Sequence, residues 1–318
     1  MRNLLFNSIL FLIFLLATSV LAVPPTVTLK LNPSLDQPYR VREVIQTELN
    51  TGRSDGTMQK ITTKQQTVYT LTALEKDPTG VRLQVSYEQF RIEESGAAGI
   101  KTFDFRKPSP ELPQYSPYLL MVIKPFDLKV QPDGQVRMVD GYEPLIAEVL
   151  KKYDPIKPNQ PAQGSLEFIR KTFADTLGDA ALEEKLSELF LPEQTVAVGQ
   201  TWQRRTILTK RLPTIADAKL TLIKQSPESI VIRKNVKLRS NPAAPPPLAL
   251  DQLTMVYEFN GTETATLTLE RSTGLPLTLQ SAMAIRGKIR VVTGPEAMKG
   301  KAYPFSAKST TTVELVKE

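Results

Sequence analysis

From Leu277 to Val292 apolar and polar side chains alternate with period two. Leu277, Leu279, Met283, Ile285, Ile289 and Val291 fall on odd positions; Gln280, Arg286, Lys288 and Arg290 fall on even ones. Successive side chains of a strand point to opposite faces, so this stretch predicts a strand with one apolar and one wetted face. Leu253, Met255, Tyr257 and Phe259 repeat the phase, and Leu267 and Leu269 resume it. Ser272-Thr273-Gly274-Leu275-Pro276 between the runs reads as a turn. Residues 253–292 thus predict one long antiparallel hairpin. Strands usually have about 3–10 residues, so this pair must bend, and Gly261 and Gly287 are the expected points.

Other stretches follow the same rule. Ile230, Ile232, Val236 and Leu238 share a face, as do Tyr39, Val41, Ile45 and Leu49. Val81, Leu83, Val85 and Tyr87 do too; Phe90 and Ile92 then slip by one, which predicts a bulge. Pro132-Asp133-Gly134 predicts a hairpin turn between Leu128–Val130 and Val136–Met138. The middle of the chain changes period. Leu145, Ile146, Val149 and Leu150 make a helical stripe within Tyr142–Tyr153; Leu166, Ile169, Phe173, Leu177, Leu182, Leu186 and Leu189 continue it within Ser165–Phe190, with Gly178 as a stop. Two halves share a faint pattern of turn, aromatic residue, paired arginines and successive strands, beginning at Tyr39 and at Trp202. The expectation is an α+β protein, mainly antiparallel β: two curved sheets or half-barrels, residues 23–140 and 195–318, joined by a helical segment, 141–194.

The first 22 residues have their own logic. Arg2 precedes an apolar run, Ile9 to Leu16, and Val20-Leu21-Ala22 precedes Val23-Pro24-Pro25. This is the layout of a signal peptide cut after Ala22. The run falls short of the about 20 apolar residues a spanning helix needs. The chain is therefore expected to be exported, periplasmic or extracellular, with no membrane span after signal removal.

Composition excludes much chemistry. There is no His and no Cys among 318 residues. That removes Ser-His-Asp and Cys-His catalysis, imidazole metal sites, disulfides and thiolate clusters. No metal, cofactor or catalytic residue is called for. Gly294 to Lys301 lacks the spacing of a phosphate loop. Glu93-Glu94, Glu183-Glu184 and Asp175/Asp179 are the only paired carboxylates that suggest acid–base work, and solvated surface is the plainer reading. Arg40/Arg42, Arg204/Arg205, Lys237/Arg239 and Arg286/Lys288/Arg290 are spread along strands and read as an outer wetted face; a net charge of +7 is mild. Basic stretches interleaved with aromatics are absent, so nucleic acid is not an expected partner.

Val198-Gly199-Gln200-Thr201-Trp202, the Leu128–Val136 hairpin and the Ser272–Pro276 turn resemble a family of uncharacterised exported bacterial proteins, a domain of unknown function. The resemblance extends over most of residues 26–317. Several family members look like lipoproteins, and this chain departs there for want of a Cys. The resemblance implies no activity and carries over no site residues.

Three functions stay open. The first is a non-catalytic envelope protein that binds an apolar or amphipathic ligand, such as a lipid, between sheet and helices. Its candidate ligand-binding residues are Met255, Tyr257, Phe259, Leu279, Met283, Ile285 and Trp202. The second is a structural or interaction module contacting another envelope protein through the loops at 107–118 and 293–304. The third is a hydrolase built on Asp175, Asp179, Glu183 and Glu184.

Overall fold

The computed structural model describes residues 25–53, 55–97, 99–106, 121–122, 124–153, 173–174, 177–209, 212–244, 248–250, 253–294 and 296–316. The expected signal segment lies outside them, as do Leu166, Ile169, Asp175 and the loop at 107–118.

The strands are β1 (Thr26–Leu29), β2 (Pro38–Gly52), β3 (Met58–Asp77), β4 (Gly80–Gly96), β5 (Gly99–Asp104), β6 (Phe126–Val130), β7 (Val136–Asp140), β8 (Gln194–Ala197), β9 (Thr201–Leu208), β10 (Thr214–Gln225), β11 (Ser229–Ser240), β12 (Leu248–Leu250), β13 (Leu253–Glu270), β14 (Pro276–Thr293) and β15 (Ala302–Leu315). Among the described residues two helices, α1 (Glu143–Tyr153) and α2 (Asp179–Ser187), lie between β7 and β8. Thirteen strands make one antiparallel sheet. Its order is β7-β6-β4-β3-β2-β15-β14-β13-β11-β10-β9, with β5 also on β4 and β12 also on β13. β1 and β8 pair separately.

The mainly antiparallel character follows the sequence pattern, but the two curved sheets do not appear. β15 pairs with β2 from Phe305↔Thr51 to Leu315↔Val41, so both halves belong to one sheet. Local periodicity marks each strand yet says nothing of which distant strand it meets. That is why the seam was invisible.

The long hairpin forms as expected: β13 and β14 pair from Thr254↔Thr293 to Leu269↔Pro276. Phe259 faces Gly287 and Gly261 faces Ile285 across it. A Cβ at Gly287 would lie 2.1 Å from the Glu258 carbonyl oxygen, and one at Gly261 would lie 2.4 Å from that of Ala284. Only glycine allows the two backbones so close. The bulge is also present: Tyr69 pairs with Tyr87 but Val68 with Gln89, which keeps Phe90 and Ile92 on the face of Tyr87.

Two cores sit on the same side of the sheet. In the first, β2, β3, β4 and β6 contribute Val41, Tyr69, Leu71, Val85, Tyr87 and Phe126, covered by Tyr142, Ile146, Phe173, Leu182 and Leu186 of the helical segment. In the second, Leu220, Leu222, Ile230, Ile232, Leu267 and Ile285 are covered by Val27, Leu29 and Val196 of the small β1–β8 sheet. Leu279 packs against both. The expected helical stop at Gly178 is a junction. Its N–H donates to the Phe173 and Ala174 carbonyls, and its own carbonyl accepts from Ala181 and Leu182, the first turn of α2.

Candidate ligand groove

The register of the sheet aligns inward side chains in rows. One row runs Arg204, Ala218, Val236, Glu263, Met283, Ser309, Thr47. Its neighbour on one side runs Trp202, Leu220, Lys234, Ala265, Ser281, Thr311, Ile45. Ala265, Ser281 and Thr311 are small residues in the second row, as Ala218 and Ser309 are in the first, so the concave face of β9–β14 is not filled from within. A groove of about 450 Å³ lies between this face and α2. Ligand sites commonly measure about 300–1,000 Å³.

The groove has an apolar side and a polar side. Leu189, Leu191, Leu208, Leu212, Leu279 and Met283 line it while only half-buried. Ser281, Ser309 and Thr311 add hydroxyls to its floor. The Thr47 and Ser309 hydroxyls lie 3.0 Å apart.

The charges on its wall are nearly all matched. Lys185 of α2 lies 3.5 Å from the carboxylate of Glu43, which is 7% exposed. Lys234 lies 3.5 Å from Glu263. Arg204 donates to the Phe190 and Ser187 carbonyls at 2.9 and 3.0 Å. Those oxygens lie at the end of α2, where carbonyls lack helical donors and the dipole favours a cation. Burial depresses the Arg204 guanidinium from its usual range, against the opposing pull of Glu188 and Asp133. Glu184 Oε1 accepts the N–H of Thr209 at 2.9 Å and its hydroxyl at 2.6 Å.

Glu188, directly after α2, is the exception. Among the described residues no hydrogen bond or close ion pair reaches its carboxylate. It is exposed at the lip of the groove that it helps to line. Burial pushes its carboxyl above the ordinary glutamate range. Glu263 adds to the rise; Lys234, Arg204 and Lys185 pull the other way and do not prevail.

Of the residues expected to bind ligand, Leu279, Met283 and Ile285 line the groove. Tyr257 and Phe259 instead pack edge-on against Phe305, with ring centres 5.7 and 6.2 Å away. Met255 stands at the far end of the hairpin, paired with Val291 and Leu248. Trp202 packs onto the second core beside Leu220, and its indole N–H is buried without an acceptor.

The sequence reading missed Glu43, Glu188, Lys234 and Glu263, and it placed Arg204 on the outer face. Arg204 is inward, in phase with Trp202, Thr206 and Leu208. The signal was available: a charge in phase with the apolar stripe of its strand. Lys234 falls between Ile232 and Val236, and Glu43 between Val41 and Ile45.

Of the carboxylates considered for hydrolysis, Glu183 and Glu184 serve as clamps. Glu183 accepts from the Met138 N–H at 2.9 Å and from Arg137 at 3.3 Å, tying α2 to β7. Asp179 rests on Gly141, where any Cβ would collide with its Oδ1. Burial raises its carboxyl, and Glu143, Glu183 and Asp140 add to the rise. Among the described residues no cluster of carboxylates has metal-holding geometry, and no helix is long and apolar enough to cross a membrane.

Fold and site together define a β-rich half-shell with an apolar groove roofed by a helix. The model of a family of unknown function, DUF6263, matches residues 78–276, and the chain belongs to that family. No curated protein matches. Among solved structures, a lipovitellin determined for its lipid–protein interactions aligns at TM-score 0.48 and 7% identity, over 89% of this chain. This chain spans only 25% of the lipovitellin chain. OccK2 (OpdF) of Pseudomonas aeruginosa, in complex with glucuronate, aligns at TM-score 0.20 and 7% identity, over 89% of this chain and 98% of its own. Salmonella typhi OmpF, in complex with daunomycin, aligns at TM-score 0.20 and 8% identity, over 87% and 98%. None of these scores is high enough to establish a shared fold.

Proposed function

We propose that this protein is an exported, non-catalytic binding protein whose ligand is an amphipathic molecule with one apolar chain, held in the groove under α2. One observation carries the reading: six leucine and methionine side chains that line the groove stay half-buried around about 450 Å³ of space. Apolar surface left uncovered costs about 25 cal/mol per Å², and an apolar chain in the groove would recover that term. The hydroxyl floor and the charged wall suit a polar head.

The test is calorimetric titration with 1-decanol, an uncharged single-chain probe. Saturable uptake of one equivalent is expected, and Met283→Arg should abolish it by placing a charge on the apolar wall. No heat of binding with the unaltered protein, or undiminished uptake by the Met283→Arg variant, removes the groove as the site.

A further inference from the structure

The charge balance of the groove wall restricts the head that its ligand can carry. Five elements face Glu188. β2 brings Glu43, α2 brings Glu184 and Lys185, β9 brings Arg204, β11 brings Lys234 and β13 brings Glu263. Each cation among them is already engaged. Lys185 has Glu43 at 3.5 Å, Lys234 has Glu263 at 3.5 Å, and Arg204 spends two N–H groups on the carbonyls that end α2. Glu184 is held by Thr209. A carboxylate or phosphate head could reach only the N–H groups that Arg204 keeps beyond those two, without separating Lys185 from Glu43 or Lys234 from Glu263, and there it would meet the charge of Glu188. A cationic head would break nothing and would supply Glu188 with the partner it lacks.

We infer that Glu188 recognises an ammonium group, so that the protein binds single-chain cationic amphiphiles in preference to anionic ones. This rests on the groove reading above. The raised carboxyl of Glu188 agrees with it, because a cation beside it would favour the ionised form that its surroundings disfavour. Charge-assisted hydrogen bonds are about twice as strong as neutral ones. The Ser281, Ser309 and Thr311 hydroxyls lie across the floor and can accept the remaining N–H groups.

The experiment compares three probes with the same chain: decylammonium, 1-decanol and decanoate at neutral pH. Decylammonium should bind about tenfold or more tighter than decanoate. Glu188→Gln should reduce that ratio to near unity, and a thermal transition as cooperative as the parent's reports an intact fold. Glu188→Lys should invert the order. Decanoate binding as tightly as decylammonium overturns the inference, and so does a preference that survives Glu188→Gln. Uptake of none of the three overturns the groove reading itself, and this inference with it. Binding of 1-decanol without charge discrimination overturns only the role of Glu188.

Discussion

The two halves of the sheet share a meander and differ in filling. β2-β3-β4 and β9-β10-β11 each run as three successive antiparallel neighbours. In the first half, rings occupy the concave side. Tyr69 lies 5.4 Å from Tyr87, Tyr87 lies 6.2 Å from Phe126, and Phe126 lies 5.2 Å from Tyr142. Tyr142 also donates its hydroxyl to the Lys124 carbonyl at 2.8 Å, fixing the entrance to α1. In the second half Ala218, Ala265 and Ser281 occupy the concave side, and the volume stays open. One strand plan thus yields a packed core or a groove, and residue size at a few inward positions decides which.

The largest effect should come from emptying the filled half. Phe126 is 0% exposed, and Phe126→Ala should cost about 3–5 kcal/mol in denaturant unfolding. A loss below about 1 kcal/mol would mean the ring stack is not what holds this half. Next comes a matched pair. Ala73→Leu adds bulk to a 0% exposed position in the packed half and should cost about 1–3 kcal/mol. Ala216→Leu, at a half-buried position of the lining, grows into the groove instead. It should leave stability within about 0.5 kcal/mol but weaken 1-decanol binding about tenfold or more. Equal destabilisation by the two would erase the distinction between the halves.

The smallest effect is the most specific to the groove. Glu188 holds its proton to higher pH in the folded chain than in the unfolded one. Its contribution to stability is therefore fully present below the ordinary glutamate value of 4.5 and declines as pH rises through the raised folded value. Gln carries no such proton. Glu188→Gln should melt higher than the parent at pH 7, with the gap closing as pH falls below about 4.5. A gap that is constant with pH would show that the Glu188 carboxyl is not raised.

Much of this was legible in the residues. Alternation from Leu277 to Val292 gave the hairpin, the phase slip at Phe90 gave the bulge, and the period change at Tyr142 gave α1. Leu279, Met283 and Ile285 reach the groove because inward phase is a property of a strand by itself. Two things were not legible. The β2–β15 pairing joins segments with no common local signal. The empty volume depends on rows built from seven strands, so no single strand shows that Ala218, Ala265 and Ser281 lie near one another. The charges of the site also hid in plain alternation: Lys234 and Glu263 tolerate inward positions because each answers the other across β11 and β13.

The β2–β15 seam has a consequence for how the chain matures. The hydroxyls of Thr47 and Ser309 meet across 262 residues of sequence, and β2 has its second side covered from Val41 to Thr51 only by β15. A first half that folds before that last strand docks carries an open backbone edge of eleven residues, from Val41 to Thr51, the kind that recruits foreign strands. Contacts so remote form slowly. A chaperone that covers this edge until β15 docks would guard the step most open to misassembly.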